Sequence, residues 1–293
     1  MSKRITTLPI CGSQHPCIPV EMAETYRELY ESIDGKFDKK KLSRFFPYQG
    51  SCYKQGRQLS RLTPFDGEDF PRTEEEMERY YEPAVRLLVV GRSVNGWEEL
   101  NESTVEKFVE AAANQVIDEG FSWLDDDGKA ISTYKRESDN KECRYNVNRS
   151  AFFRCIKKII TQMKPEATIG KRWFEHVAWT NLYPIAPLHS GNAEGKLQDA
   201  QIVVCKKLLL QQIDYYQPTH ILFITDWDWW FERFADAFPK VRKIGDSAIN
   251  NIVGVGSYDN AKVAIAIRPD RTRPNRPNEE EYVRDVVGCF RAY

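Results

Sequence analysis

Residues 86–97 read RLLVVGRSVNGW. The apolar run LLVV is too short to stand as a helix and ends in two β-branched valines, the composition of a buried strand. It breaks into GRSVNG, where Gly91 and Gly96 permit a sharp turn and close approach of the backbone to a ligand. An acidic, Ser/Thr-bearing segment follows, and helical spacing begins at about Ser103. A strand feeding a glycine loop and then a helix is where an open α/β sheet presents a binding site.

Three further runs have the same character: HVAWTNL (176–182), THILFIT (219–225) and KVAIAI (262–267). THILFIT is continuously apolar over its centre, as expected of a parallel strand buried on both faces. Residues 251–258 add a short edge strand. Between the strands, apolar residues recur at helical spacing over 103–118, 149–163 and 195–216, with Pro165 and Pro218 as terminators of the last two. Residues 19–33 form an amphipathic helix, 227–238 an aromatic-rich helix with Trp227, Trp229 and Trp230 buried along one face, and 279–290 the last helix. Thr73 and Glu76 make a capping box for TEEEMERYY. Residues 34–71 carry repeated Gly and Pro breakers, which argue against regular core structure. PIAPLHSGN (184–192) and residues 125–141 read as loops.

This order of elements predicts a three-layer α/β/α sandwich with a mostly parallel four-stranded central sheet, plus an irregular/helical N-terminal extension. The division is an arm and extension over 1–80 packed on an α/β domain over 81–293. The polar residues that end each strand (GRSVNG, Asn181, Thr225 with Asp226, and Arg268) should meet at one crevice.

With 293 residues, 41% of them hydrophobic and 29% charged, the chain has the composition of a globular protein large enough to bury a core. No apolar run approaches the length that spans a bilayer, and MSKRITTLPICGS lacks the apolar region of a secretory signal, so no membrane partner and a cytoplasmic location are the expectation. Seven scattered cysteines without a Cys-x-x-Cys pair indicate reduced thiols. Cys11, His15 and Cys17 do not complete four ligands, so no metal is expected. The net charge of −1 supplies no global attraction for a polyanion. Local basic surface is available in residues 36–61, with eight Lys/Arg, and 268–276, with four Arg.

The succession of strand, glycine loop, helices, WTNLYPIAPLHSGN (179–192), a helix containing Cys205, QPTHILFIT (217–225) and IRPDR (267–271) resembles the uracil-DNA glycosylase superfamily, nearest its thermophile-type branch. The resemblance implies a crevice that receives an extruded base, because a glycosylase must take its target out of the stack. Asn181 matches the strand-ending Asn that reads the base edge. Ser93 falls where the family places an Asp or Asn that positions water, and a neutral serine cannot do the electrostatic work of a carboxylate; Asn95, Glu98 or Glu99 could substitute only if the loop runs differently. Arg268-Pro269 stands where the family has His-Pro; an arginine there can donate to an oxyanion or bind a phosphate. The branch's iron–sulfur cluster is not expected, since Cys205 falls near one ligand position but Ile185 near another.

On this resemblance the catalytic candidates are Ser93, Asn95 and Arg268. The substrate-binding candidates are Gly91, Arg92, Gly96, Trp97, Asn181 and His189, and no cofactor is implied. Two functions follow as expectations. One is hydrolysis of the N-glycosidic bond of a damaged or modified base in DNA. The other is a lapsed binding module for a nucleobase, a nucleotide or single-stranded nucleic acid, with Arg92 and Arg268 on phosphate. Asn181 capping its turn, Arg268 paired with Asp270 or Glu279, and aromatics packed in the core are the plain structural alternatives.

Overall fold

The computed structural model describes residues 19–46, 48–49, 85–93, 98–114, 129–135, 142–164, 173–188, 192–244, 251–269 and 278–292. The capping box at Thr73, the Cys11/His15/Cys17 group, and Asn95, Gly96, Trp97 and His189 lie outside these residues.

The first elements are helix α1 (Val20–Ile33) and the short strands β1 (Leu42–Arg44) and β2 (Tyr48–Gln49). Strand β3 (Leu87–Ser93), strand β4 (Glu98–Glu99) and helix α2 (Val105–Asn114) follow. A hairpin of β5 (Lys129–Lys135) and β6 (Glu142–Asn146) leads to helix α3 (Ala151–Met163). Then come β7 (Val177–Tyr183), β8 (Ile185–Pro187), the long helix α4 (Lys196–Tyr216) and β9 (His220–Ile224). The chain finishes with β10 (Arg242–Lys243), β11 (Ile252–Tyr258), β12 (Ala261–Ala266) and helix α5 (Glu279–Ala292).

The main sheet has seven strands in the order β10-β11-β12-β9-β3-β7-β2. Its centre, β12-β9-β3-β7, is parallel, and the flanking pairings are antiparallel. The four parallel strands are the four apolar runs of the sequence, and the chain is a mixed α/β protein with a mostly parallel sheet and helices. The sheet is larger than four strands because β2, β10 and β11 extend its edges; β11 is an inner strand, covered by β10.

Successive residues of a strand point to opposite faces, so β7 shows what covers each side. Trp179 packs edge-on to Phe153 of α3, with ring centroids 5.0 Å apart. Next to it, Thr180 donates to Gln212 of α4 at 2.8 Å, and Gln212 donates to the Tyr26 hydroxyl of α1 at 3.3 Å. This buried chain ties α1 and α4 to one face of the sheet, and burial pushes the Tyr26 hydroxyl pKa well up. Residues 19–46 share one apolar core with the strands through Met22, Tyr26, Leu29, Ile33, Phe45 and Phe46.

Several local expectations need correction. Residues 34–71 do contribute regular structure: β1 joins β8 and β4 in a second, three-stranded sheet, and Phe45 and Phe46 are buried. The breakers delimit very short strands whose hydrogen bonds come from distant partners, which no local pattern reveals. For the same reason β8 lies inside the expected 184–192 loop; β5, a seven-residue strand paired with its neighbour β6, lies inside the expected 125–141 loop. Residues 227–238 form turns and a 3-10 helix (Phe231–Ala237), not an α-helix; Trp230 is buried, whereas Trp229 is 83% exposed. Asp226 and Trp229 take left-handed backbone conformations here, which a continuous helix does not accommodate.

Helices α3 and α5 are joined by an ion pair. Arg154 donates through Nε to both carboxylate oxygens of Glu279, at 3.1 and 3.2 Å, and through its second guanidinium nitrogen as well. Glu279 is therefore taken, and Arg268 does not use it. The Arg154 hydrogen bonds hold the Glu279 carboxyl below the usual carboxylate range. A depressed folded pKa means the stabilisation is present above the unfolded carboxyl value and is lost as the pH falls through the folded one. Glu279→Gln should destabilise by about 1 kcal/mol at neutral pH. The gap to the wild type should close in acid, as read by urea denaturation near neutrality and at about pH 3.

Candidate functional site

The parallel centre brings the strand ends to one edge. Gly91 of β3 lies beside Asn181 of β7, Val90 beside Phe223 of β9, and Phe223 beside Ile265 of β12. The Asp226 N–H donates to the Ala266 carbonyl at 3.1 Å, which carries the same edge past β9 to the segment before Arg268.

Asn181 is 6% exposed, and its Nδ2 is buried without a hydrogen-bond partner among the described residues. An unsatisfied buried amide is costly, and one retained in a folded site calls for a ligand or a water to complete it. Gly91 is what admits the amide: a Cβ there would collide with Asn181 Oδ1 and would stand 3.6 Å from Trp179 Nε1. Strand β3 runs straight through Gly91 to Ser93, so this glycine does not make the sharp turn expected of it. Its service is to leave space for a side chain on the neighbouring strand. Around the amide, the Trp179 indole is ringed by Phe45 at 4.6 Å, Phe153 at 5.0 Å and Phe152 at 5.9 Å. Phe152 is only partly buried, so this aromatic wall is not closed off as pure core.

The other expected site residues are engaged elsewhere. Ser93 donates from Oγ to Asn192 Oδ1 at 3.3 Å and accepts the Ala193 N–H at 3.2 Å. Its hydroxyl thus ties the strand end to the segment that enters α4, a positioning task. Arg92 donates through Nε to the Thr225 carbonyl at 3.0 Å, pairs with the Asp226 carboxylate, and lies over the Trp230 ring at 5.1 Å. Both charged side chains of that pair are 15% exposed. Arg92 is already neutralised, which removes the main advantage it would bring to a phosphate.

Arg268 is partly buried and has no hydrogen bond or ion pair among the described residues. It follows β12, three inter-strand spacings from β7, so its backbone stands roughly 14 Å across the sheet from that of Asn181. The structure therefore joins Gly91 with Asn181, and Arg92 with Asp226, and sets Arg268 on the same edge but apart.

Sequence reasoning placed Asp226 among the strand ends that should meet, but did not select Trp179, Phe45 or Phe152. Trp179 had a signal: it precedes Asn181 by two residues in a strand, which puts both on one face. Phe45 and Phe152 had none, because their relation to the site depends on packing between distant segments. Among the described residues no group of three or more His, Cys, Asp and Glu could hold a metal ion. Cys155, Cys205 and Cys289 are buried thiols, and burial pushes the Cys289 thiol up to about 11.

No family model matches the chain, and neither does any curated protein. Among the described residues no helix is long and apolar enough to cross a membrane.

Proposed function

We propose that this chain is a uracil-DNA glycosylase-like protein, a three-layer α/β/α sandwich whose sheet edge binds an unstacked nucleobase. The single observation that carries this reading is the buried Asn181 Nδ2, without a partner among the described residues, on a side chain held in the space that Gly91 leaves. A carboxamide offers a donor and an acceptor side by side, and a pyrimidine edge presents a carbonyl next to an N–H in matching order. Phe45, Phe152 and Trp179 supply apolar faces beside that edge, in keeping with how extruded or single-stranded bases are held.

Binding without excision fits the geometry better than hydrolysis. The Ser93 hydroxyl is occupied by Asn192 and Ala193, and the Asp226 carboxylate is occupied by Arg92, so neither is poised to direct a water. Glycosidic hydrolysis is the second reading. It is favoured by Arg268, a cation on the same strand edge with no partner among the described residues, at the position that resembles the family's oxyanion donor.

Calorimetry with uracil, thymine, cytosine and deoxyuridine tests the first reading. Asn181→Ala should weaken binding of the preferred base about 10- to 100-fold, the worth of one bidentate edge contact. Equal affinity in the variant, or no binding of any of these ligands by the wild type, would remove the proposal. Release of free base from uracil- or hypoxanthine-containing oligonucleotides, abolished by Asn181→Ala and Arg268→Ala, would establish hydrolysis instead.

A further inference from the structure

Helices α3 and α5 lie side by side on the sheet face that carries Trp179 and Asn181. Phe153 of α3 packs on Trp179, and Phe290 of α5 packs on His220, whose row in the register, His220, Leu87 and Val177, shares that face. The starts of the two helices are joined by Arg154 and Glu279, and their far ends by Arg291, which donates to the Gln162 carbonyl at 3.1 Å. Tyr282, in the first turn of α5, donates to the Ile267 carbonyl just past β12 at 2.9 Å, whereas His220 is the first residue of β9. Both helices therefore begin at the strand-end edge and run away from it. Trp179 brings the start of α3 to the Asn181 amide. Its ring lies 5.9 Å from that of Phe152, the second residue of the helix, and its Nε1 stands 3.6 Å from the point a Gly91 Cβ would occupy, which Asn181 Oδ1 overlaps. The Asn181 oxygen is turned toward β3. The amide nitrogen, buried and without a partner among the described residues, is turned away from β3 on the face where α3 begins.

The start of α3 has hydrogen-bonding capacity to spare. The first turn of a helix leaves N–H groups without intrahelical acceptors, and a serine just before it ordinarily accepts from one of them. Ser150 holds that place in an extended conformation and makes no such bond. The Ala151 and Phe152 N–H groups have no acceptor among the described residues, and the first turn holds no acidic side chain to answer the positive end of the helix dipole. The start of α5 is already served: Asn278 accepts the Glu280 N–H at 3.0 Å, and Glu279, Glu280 and Glu281 occupy its first turn. Arg154 and Lys158 meet the charges of Glu279 and Glu280, so those carboxylates do not fill the gap at α3. Open donors at a helix start call for an anion, and the buried amide beside them calls for a polar edge. A nucleotide supplies both, the edge on its base and the anion on its sugar.

We propose that the start of α3 binds the phosphate of the nucleotide whose base occupies the Asn181 site, with the Ser150 hydroxyl and the Ala151 and Phe152 N–H groups as donors. The ligand is then a pyrimidine nucleotide, free or within a strand, rather than a bare base or nucleoside. This rests on the nucleobase-binding reading above and deepens it by assigning the phosphate to helix-start donors.

Calorimetry of the full chain with deoxyuridine, deoxyuridine 5′-monophosphate and a short oligodeoxyuridylate is the test. The monophosphate should bind about 10- to 100-fold more tightly than the nucleoside, the worth of hydrogen bonds to one charged group. In Ser150→Asp the new carboxylate takes the first-turn N–H groups and repels the phosphate. The advantage of the monophosphate should then vanish while deoxyuridine affinity holds and the thermal midpoint rises by about 1–2 °C, as a better cap dictates. Ser150→Ala should reduce the advantage about 3-fold. A serine needed only for the helix would leave the ratio of the two affinities unchanged in both variants. An oligodeoxyuridylate that shows the same loss in Ser150→Asp makes a strand the source of the phosphate; a monophosphate that binds where the oligomer does not makes it a free nucleotide, and either result supports the site. Equal wild-type affinity for nucleoside and monophosphate, or an advantage that Ser150→Asp leaves intact, overturns the phosphate site, and the Asn181 reading then stands alone. If the Ser150-dependent advantage persists while Asn181→Ala leaves deoxyuridine affinity unchanged, the phosphate site survives and the base-reading site falls. Binding of none of the three ligands overturns both.

Discussion

Gly91→Ala is expected to destabilise the fold by about 2–3 kcal/mol, the usual cost of forcing extra volume into a packed site. It should abolish base binding at the same time. The added methyl would meet the Asn181 side chain, with Trp179 Nε1 directly beyond it, so the amide must leave the position it holds on the neighbouring strand. Strands β3 and β7 are central and parallel, with Gly91 paired to Asn181 in register, so neither backbone can shift to relieve the clash without disturbing its other partner. A double-mutant cycle separates this account from a general intolerance of the strand. In an Asn181→Ala background most of the penalty of Gly91→Ala should vanish, because the colliding atom has gone. Urea denaturation of the four proteins measures it, and additive penalties would show that the glycine serves something other than the amide.

The second large effect concerns Arg92 and Asp226. Removing one member of a buried ion pair leaves an uncompensated charge in a low-dielectric setting, at a cost of about 3–5 kcal/mol. Asp226→Ala should reach that range, because Arg92 would lose the carboxylate that neutralises it in a largely buried place. Arg92→Met should cost less when combined with Asp226→Leu than either single change costs, since the double variant buries no charge. The same variants probe function. If Arg92 served a phosphate, Arg92→Met would flatten the salt dependence of oligonucleotide binding. With the guanidinium committed to Asp226, the expectation is a fall in stability with the salt slope intact. A fall in the slope would return Arg92 to the phosphate role that its place after Gly91 suggests.

The two predictions concern the same short strand, and they show where local reading succeeds and where it stops. LLVV, HVAWTNL, THILFIT and KVAIAI mark the parallel centre of the sheet because burial on both faces demands apolar, largely β-branched residues all along a strand. That demand is met residue by residue, so it is visible without knowing the neighbours. The helices over 19–33, 149–163, 195–216 and 279–290 are legible for a related reason, since each has one face to bury and the spacing of that face is local. Strands β1, β2, β8 and β10, of two or three residues each, have no such spacing. They exist because distant partners supply their hydrogen bonds: the Leu42 carbonyl accepts from Leu100, and Lys41 accepts from Leu188.

The site divides in the same way. The strand-end rule alone directs attention to residues 91–93, Asn181, Asp226 and Arg268, and the edge they share is real. Their roles are matters of pairing. Gly91 reads as a turn glycine until Asn181, ninety positions away, is seen to fill the space it leaves. Ser93 reads as a catalytic position until Asn192 and Ala193 are found on its hydroxyl. Arg92 reads as a free cation until Asp226 neutralises it. Trp229 is an unremarkable member of DWDWW, expected to be buried, until a left-handed turn faces it to solvent. Which segments are buried and which strand ends carry polar groups can be read along the chain, because burial acts on each residue where it stands. Which of those polar groups the protein satisfies emerges with the packing, because a hydrogen bond or an ion pair belongs to two positions at once.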